Sequence, residues 1–411
     1  MGLEFIVLVI KSLMLEESNP IWELSSSGSE SGAEGTITDD QTLHDIPDYV
    51  LDYAPLVHLF SGENYWPCDI GEHLKHITPY LNYTPLRATW EHPALDNLDE
   101  LNKWQNGRHV FLTSNDNVED QPDWLTGKEN IPASPDTTVE SHFQRRRPFD
   151  TLSKKDHVLG AKGNKDKQGG RSDAPAILVV IDKGNGIVDA FWFYFYSYNL
   201  GNTVLNVRFG NHVGDWEHSL VRFHNGKPKA IFLSEHAGGA AYTYEAVEKI
   251  GKRPVIYSAT GTHAMYANPG VHAYILPWGL LHDETDAGPL WDPSLNLHAY
   301  TYSLHNDTLH ASTLTPHSPT GWFYFLGHWG DKIYPLSDSR QYTFAGQYHY
   351  VSGPLGPRFK DLGRRKLCQG SEEAACVIRG EIGSVDEPRV VQQWNLWDTG
   401  LGEDDDREDV D

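Results

Sequence analysis

Residues 175–202, PAILVVIDKGNGIVDAFWFYFYSYNLGN, are apolar at nearly every position, with one break at Gly184-Asn185-Gly186. An apolar run bounded by turn residues predicts two strands covered on both faces, as in the core of a sandwich. The pattern continues downstream. HSLVRFHNGKPKAIFLSEHAGG (218–239) reads as two strands joined at Asn225-Gly226, a dipeptide suited to the positive φ angles of a tight hairpin. YTYEAVEKIGKRPVIYSATGTHAMY (242–266) predicts a short helix leading into a strand. HAYTYSLHNDTLHAST (298–313) and GWFYFLGHWGDKIYP (321–335) extend the series. The predicted class is mostly β: an antiparallel β-sandwich core over about residues 175–350, with short helices and long loops. Trp192, Trp216 and Tyr257 are expected to be buried.

Outside that block the pattern divides the chain. Residues 1–47 form an N-terminal extension, within which SSSGSESGAEGTITDD (25–40) has the composition of a flexible linker. Residues 48–150 begin with ordered-looking short strands (YAPLVHLFSGENYWPCDI, 53–70) and pass into short helices and loops. Residues 151–174 read as an exposed charged loop, 175–370 as the sandwich core with the candidate site, and 371–411 as a C-terminal segment ending in a disordered acidic tail. The apolar run Phe5–Ile10 is too short to span a bilayer and makes a poor signal peptide.

Charge narrows the choice of partners. Lys+Arg 33 against Asp+Glu 57 gives a net charge of -24, which disfavours nucleic acid and, on average, anionic membrane surfaces. The three cysteines, Cys68, Cys368 and Cys376, make no disulfide framework. A Cys368–Cys376 bridge is open to the chain, but a reduced, cytoplasmic protein is the simpler expectation, with secretion disfavoured. Two sequons, Asn82-Tyr83-Thr84 and Asn306-Asp307-Thr308, do not by themselves establish secretion.

The chemistry concentrates in GNHVGDWEHSLVRF (210–223). In a strand starting near Asp215, alternation sets Asp215, Glu217 and Ser219 on one face, and Trp216, His218 and Leu220 on the other. Two adjacent carboxylates raise each other's pKa unless a cation lies between them. His212, on a loop before the strand, can fold back to the same point. Such oxygen-rich ligation suits Ca²⁺, Mg²⁺ or Mn²⁺ better than zinc. His236 and His263 follow at two other strand ends and can converge on the same edge. Each can equally be a strand-end group serving a backbone amide, and Arg222 or Arg208 can replace the metal as partner of the carboxylates. A Ser234/His236/Asp triad can be drawn, but residues two apart on one strand have no assured contact.

These stretches, with DETDAGPLWDPS (283–294) and GPLGPRFKDL (353–362), resemble the vacuolar protein sorting-associated protein 62 family over roughly residues 48–370. The resemblance implies a role in vacuolar protein sorting, at the vacuole or endomembranes. More distantly, His212-Val213-Gly214-Asp215-Trp216-Glu217 is similar to the signature of the necrosis- and ethylene-inducing-peptide-like proteins, and Ser234–Gly239, His263 and Leu290-Trp291-Asp292 to later motifs of theirs. Those proteins are β-sandwiches that hold a divalent cation and bind sphingolipid headgroups. Carried over, His212, Asp215 and Glu217 become metal ligands with Asn199 as the nearest fourth, and His236, His263 and Trp216 become ligand-binding residues. Gly214 stands where that signature has His, and Val213 where it has Arg. The resulting expectation is a cation-bearing site for a polar small molecule or lipid headgroup, with peripheral membrane contact and no catalytic residue assigned. The rival is an enzyme using the same carboxylates and His236 or His263 on a small polar substrate.

Overall fold

The computed structural model of the chain describes residue 43 and residues 45–86, 93–133, 169–204, 206–236, 238–273, 281–344, 346–370 and 376–383. Most of the N-terminal extension, the 25–40 linker, most of the 151–174 loop and the acidic tail lie outside the described residues.

Two sheets face each other. The strands of these sheets and of one separate hairpin are β1 (Leu56–His58), β2 (Ala176–Gly184), β3 (Ile187–Asn199), β4 (His212–His224), β5 (Lys227–Glu235), β6 (Gly238–Thr243), β7 (Arg253–Ser258), β8 (Met265–Tyr266), β9 (Gly270–Ala273), β10 (His282–Thr285), β11 (Leu290–Trp291), β12 (Leu297–Ser303), β13 (Thr308–Ala311) and β14 (Ile378–Arg379). The large sheet has eight strands in the order β13-β12-β2-β3-β4-β5-β6-β14. The small one sets β7 between Lys249–Ile250 and β1, continues to β11, and adds β8 on β7. β9 and β10 form a separate hairpin.

The large sheet is buried on both faces, which is why its central strands lack alternation. All 13 residues of β3 are buried. One side of it, Val188, Ala190, Trp192, Tyr194 and Tyr196, packs with Val57, Ile256, Met265 and Trp291 of the small sheet. The other side, Phe191, Phe193 and Phe195, packs on an outer layer that includes Ile70 and Leu74 of helix α1 (Ile70–Leu74), Ile77, Leu112, Trp322 and Trp329. Trp192, Trp216 and Tyr257 are buried as expected. Asn225 and Gly226 take φ of 51° and 73° and close the β4–β5 hairpin.

The sandwich is mostly antiparallel, as expected, with three parallel pairs: β12 with β2, β14 with β6, and β1 with β7. Each of these pairs joins segments distant in sequence, where no tight hairpin imposes antiparallel pairing. The second layer also draws β1 from well before residue 175. No helix forms between Tyr242 and the strand at Arg253. Tyr242 lies inside β6, and the chain then turns to Lys249–Ile250. Lastly, Cys368 and Cys376 are joined by a disulfide and only Cys68 is free among the cysteines, which corrects the expectation of a reduced chain. Among the described residues no helix is long and apolar enough to cross a membrane.

Candidate functional site

Alternation along β4 places Asp215 and Glu217 on the inner face, toward the small sheet, beside Tyr196 and Tyr194 of β3. Both carboxyl groups are buried. His212 is not on a preceding loop. It is the first residue of β4, paired with Asn199 at the last rung of β3. Gly214 between them has φ 70°, and a Cβ there would lie 2.0 Å from the Trp329 carbonyl oxygen. No larger residue fits that position without moving the Trp329 segment, which accounts for glycine at 214 in this chain, where the signature has His.

Each acid has a specific partner, and neither partner is an arginine. His263 Nδ1 lies 2.9 Å from Asp215 Oδ2, and His263 Nε2 lies 3.0 Å from the Tyr65 carbonyl oxygen. The carbonyl can only accept, so Nε2 carries a hydrogen. Nδ1 on the other side of the ring faces the Asp215 carboxyl group, which favours a protonated ring. The ring stacks on Tyr196 at 3.6 Å between centroids. Burial works against the charged ring, but the Asp215 hydrogen bond and the Glu63 charge outweigh it and raise its pKa. Glu217 accepts from the Ser234 hydroxyl, which itself accepts from the His218 amide at 2.7 Å. Burial, reinforced by the Asp215 charge against the opposing pull of Lys360, pushes the Glu217 carboxyl up to about 8. Arg222 is turned to the outer face and makes a bidentate pair with Asp189, and Arg208 donates to the Gly201 carbonyl. The arginine alternative is therefore corrected: both side chains are engaged elsewhere.

His236 and His263 both have left-handed backbones, with φ of 59° and 57°. Such angles are uncommon for a residue with a Cβ and concentrate at functional or constrained turns. His236 Nε2 meets Asp283 Oδ2 at 2.9 Å, and the same carboxylate accepts from Tyr266, Thr262 and Asn202. Burial opposes the His236 charge, but Asp283 overcomes it and lifts the ring to about 9. Asp283 is itself held below the ordinary carboxylate range: burial raises it, and the His236 charge and hydrogen bonds more than reverse that. Ser234 is committed to Glu217 and His236 to Asp283, so the drawn triad has no Ser-to-His hydrogen bond as its basis.

Three further candidates fall differently. Trp216 faces away from its neighbours Asp215 and Glu217 and packs in the outer core on Phe195, Trp322 and Trp329. A period of two makes this unavoidable, so its assignment as a ligand-binding residue is corrected. The Asn199 amide donates to the Gly210 carbonyl at 2.9 Å. His212 Nδ1 lies 2.6 Å from the Gly214 carbonyl, and burial lowers its pKa despite the nearby Asp215. Sequence reasoning missed Asp283 and Glu63, the latter receiving the Gly261 amide at 2.8 Å through Oε2. Asp283 sits on the short strand β10 and Glu63 on a loop, and both reach the site only through contacts between segments distant in sequence.

The donor types, two carboxylates with an imidazole and an amide, suit a hard divalent cation. Their arrangement is that of a hydrogen-bonded network. Among the described residues no three His, Cys, Asp or Glu side chains stand together as a metal-holding group.

Comparison with known proteins places this geometry in context. A family model described as vacuolar protein sorting-associated protein 62 matches residues 184–341. The chain is similar to a Saccharomyces cerevisiae relative named for vacuolar protein sorting, TDA6, at 38% identity over 407 residues, covering 89% of this chain and 74% of that protein. It is also 38% identical over 353 residues to Saccharomyces cerevisiae vacuolar protein sorting-associated protein 62, covering 79% of this chain and 68% of that one. Among solved structures, Necrosis and Ethylene inducing Protein 2 from the causal agent of cocoa's Witches Broom disease overlaps 55% of this chain and 71% of its own, at TM-score 0.24 and 10% identity. An overlap that small carries no inference about ligand or mechanism.

Proposed function

The chain belongs to the vacuolar protein sorting-associated protein 62 family, and from that premise we propose that it serves vacuolar protein sorting as a ligand-binding protein whose site is the ionisable end of the sandwich. The observation that carries this reading is Glu217. A buried carboxyl lifted to about 8, side by side with Asp215, holds a proton at neutral pH that a cation can replace. The proposed occupant is Ca²⁺, Mg²⁺ or Mn²⁺ together with a polar small molecule or lipid headgroup. Glu217 and Asp215 supply oxygen donors, with His212 and Asn199 at the adjoining rung and His236 and His263 toward the polar ligand. To bind this way the cation must compete with the His263 imidazolium for Asp215, so affinity should rise with pH. The Cys368–Cys376 bridge favours an oxidising compartment of the endomembrane system over the cytoplasm.

Calorimetric titration of the full chain with each of the three ions at pH 6 and pH 8 tests the cation. Binding should release a proton, more completely at the lower pH, and Glu217→Gln should abolish that release. A site filled at a hundredfold excess over its dissociation constant raises stability by about 2.7 kcal/mol. No heat and no melting shift with any of the three ions would remove the cation from the proposal. The same titration position favours a second reading, acid/base catalysis, because a carboxyl near neutrality is what a general acid requires. Turnover in a screen of small polar substrates, lost in Glu217→Gln, would select that reading.

A further inference from the structure

Asn306 and Asp307 end the four-residue turn between β12 and β13, and Thr308 is the first residue of β13, at the outermost strand pair of the large sheet. We propose that Asn306 is an N-glycosylation site and that the chain matures in an oxidising lumen. The Asn306 side chain is exposed. The turn is fixed from the other side. Arg358 makes a bidentate pair with Asp307 at 2.6 and 2.5 Å, and the Tyr302 hydroxyl donates to Asp307 at 2.6 Å. With Asp307 pulled onto the body, its neighbour Asn306 is left outward. The Thr308 hydroxyl donates back to the Asn306 carbonyl at 3.1 Å. Leu304, two positions earlier in the turn, is 43% exposed, an apolar surface that a glycan core would shield.

The second sequon shows what an unsuitable position looks like. Asn82 is half-buried with φ 53°, and its Oδ1 accepts from Lys332 Nζ at 2.7 Å. Tyr83 beside it donates to the Ile333 carbonyl at 2.8 Å, and Lys332 Nζ lies 4.8 Å from its ring centroid. A glycan there would break these contacts. An Asn-x-Thr triplet occurs by chance, so the sequence alone assigns neither site. The Cys368–Cys376 bridge supplies the independent observation. Disulfides persist in the oxidising compartments, and N-glycans are added in one of them.

The transfer is balanced. The Asn306 amide nitrogen bonds to the anomeric carbon of a lipid-linked oligosaccharide diphosphate. The bond from that carbon to the diphosphate breaks, the lipid diphosphate leaves with the electron pair, and the amide gives up one proton. The test is the full chain expressed in yeast cells, treated with a peptide N-glycosidase and compared with untreated protein. Wild type should show one discrete gain in mobility, and deglycosylation in heavy-oxygen water should mark residue 306 as a labelled aspartate. Asn306→Gln should lose that mobility step, while Thr308→Ser and Asn82→Gln should keep it. No step in wild type, or an undiminished step in Asn306→Gln, overturns the proposal. Thr308→Ser keeps the sequon and the turn hydroxyl, so it separates loss of the glycan from a folding defect.

Discussion

β4 carries two buried charge clusters, one at each end and on opposite faces, and they are built differently. Toward its C-terminal end, Arg222 is gripped by Asp189, with Lys183 3.9 Å from the same carboxylate and Arg364 nearby. Lys183 donates to the Leu362 and Arg364 carbonyls and Arg222 to the Arg365 carbonyl, so this cluster also pins the segment that leads into the disulfide. Toward the N-terminal end, Asp215, Glu217 and Asp283 meet histidines and hydroxyls. The first cluster is centred on Arg222 and Asp189, which keep their charge across the physiological range. The second is made of groups that can change theirs. A buried pair of permanent charges fixes geometry, whereas a buried set of titratable groups can exchange a proton for a ligand. That contrast is why the second is the candidate site and the first is structural.

The sharpest way to break the comparison is Arg222→Ala. It leaves Asp189 buried without its main partner and should cost about 3–5 kcal/mol, read from the urea midpoint. A loss under about 1 kcal/mol would mean that Lys183 and Arg364 suffice, and the cluster would lose its structural role. Opening the disulfide by Cys368→Ser should cost about 2–3 kcal/mol, as closure of so short a loop implies. Thiol labelling of the unfolded wild-type protein should detect Cys68 alone. Labelling of three thiols would show that the bridge does not form in the cell. At the other cluster, His263→Gln removes the charge but can keep one hydrogen bond, and should cost about 1–3 kcal/mol. A cost equal to that of Arg222→Ala would erase the distinction between the two ends.

The pH dependence discriminates best. Glu217 has its carboxyl raised from 4.5 to about 8, so the folded state binds the extra proton in that interval and stability falls as pH rises through it. His236, raised from 6.5 to about 9, contributes stability that is present below 6.5 and lost as pH climbs through its folded value. His263 has the same sign. The far cluster is quiet over most of this range. Asp189 is lowered, burial being outweighed by Arg222, so its stability is present above the ordinary carboxylate value and lost only in acid. Lys183, brought down by burial to about 8, responds only at the alkaline end. Glu217→Gln should therefore flatten the decline in stability between pH 4.5 and pH 8, measured as the difference in melting temperature across that window. An unchanged slope would show that Glu217 is already ionised in the fold.

Much of the architecture was legible because local chemistry forces it. Asn225-Gly226 can close only a few kinds of turn, and the Phe191–Tyr196 run has no solvent-tolerant face, so β3 had to lie between two layers. Alternation likewise decided that Asp215 and Glu217 share a face and that Trp216 cannot join them. Those are properties of a strand with a period of two, and no long-range contact alters them. The partners of the carboxylates were another matter. His263 meets Asp215 and is itself held by the Tyr65 carbonyl, while Asp283 holds His236; these come from segments far apart in the chain, and only pairing of β1 with β7 and packing of the two sheets bring them to one end of the sandwich. The same holds for Arg222, which the sequence left available to Asp215 and Glu217. It could be assigned to Asp189 only once β3 and β4 were in register, with residue 189 opposite 222. Side-chain periodicity is encoded residue by residue; which charge meets which is decided by register and layer packing, where chain distance gives no guide.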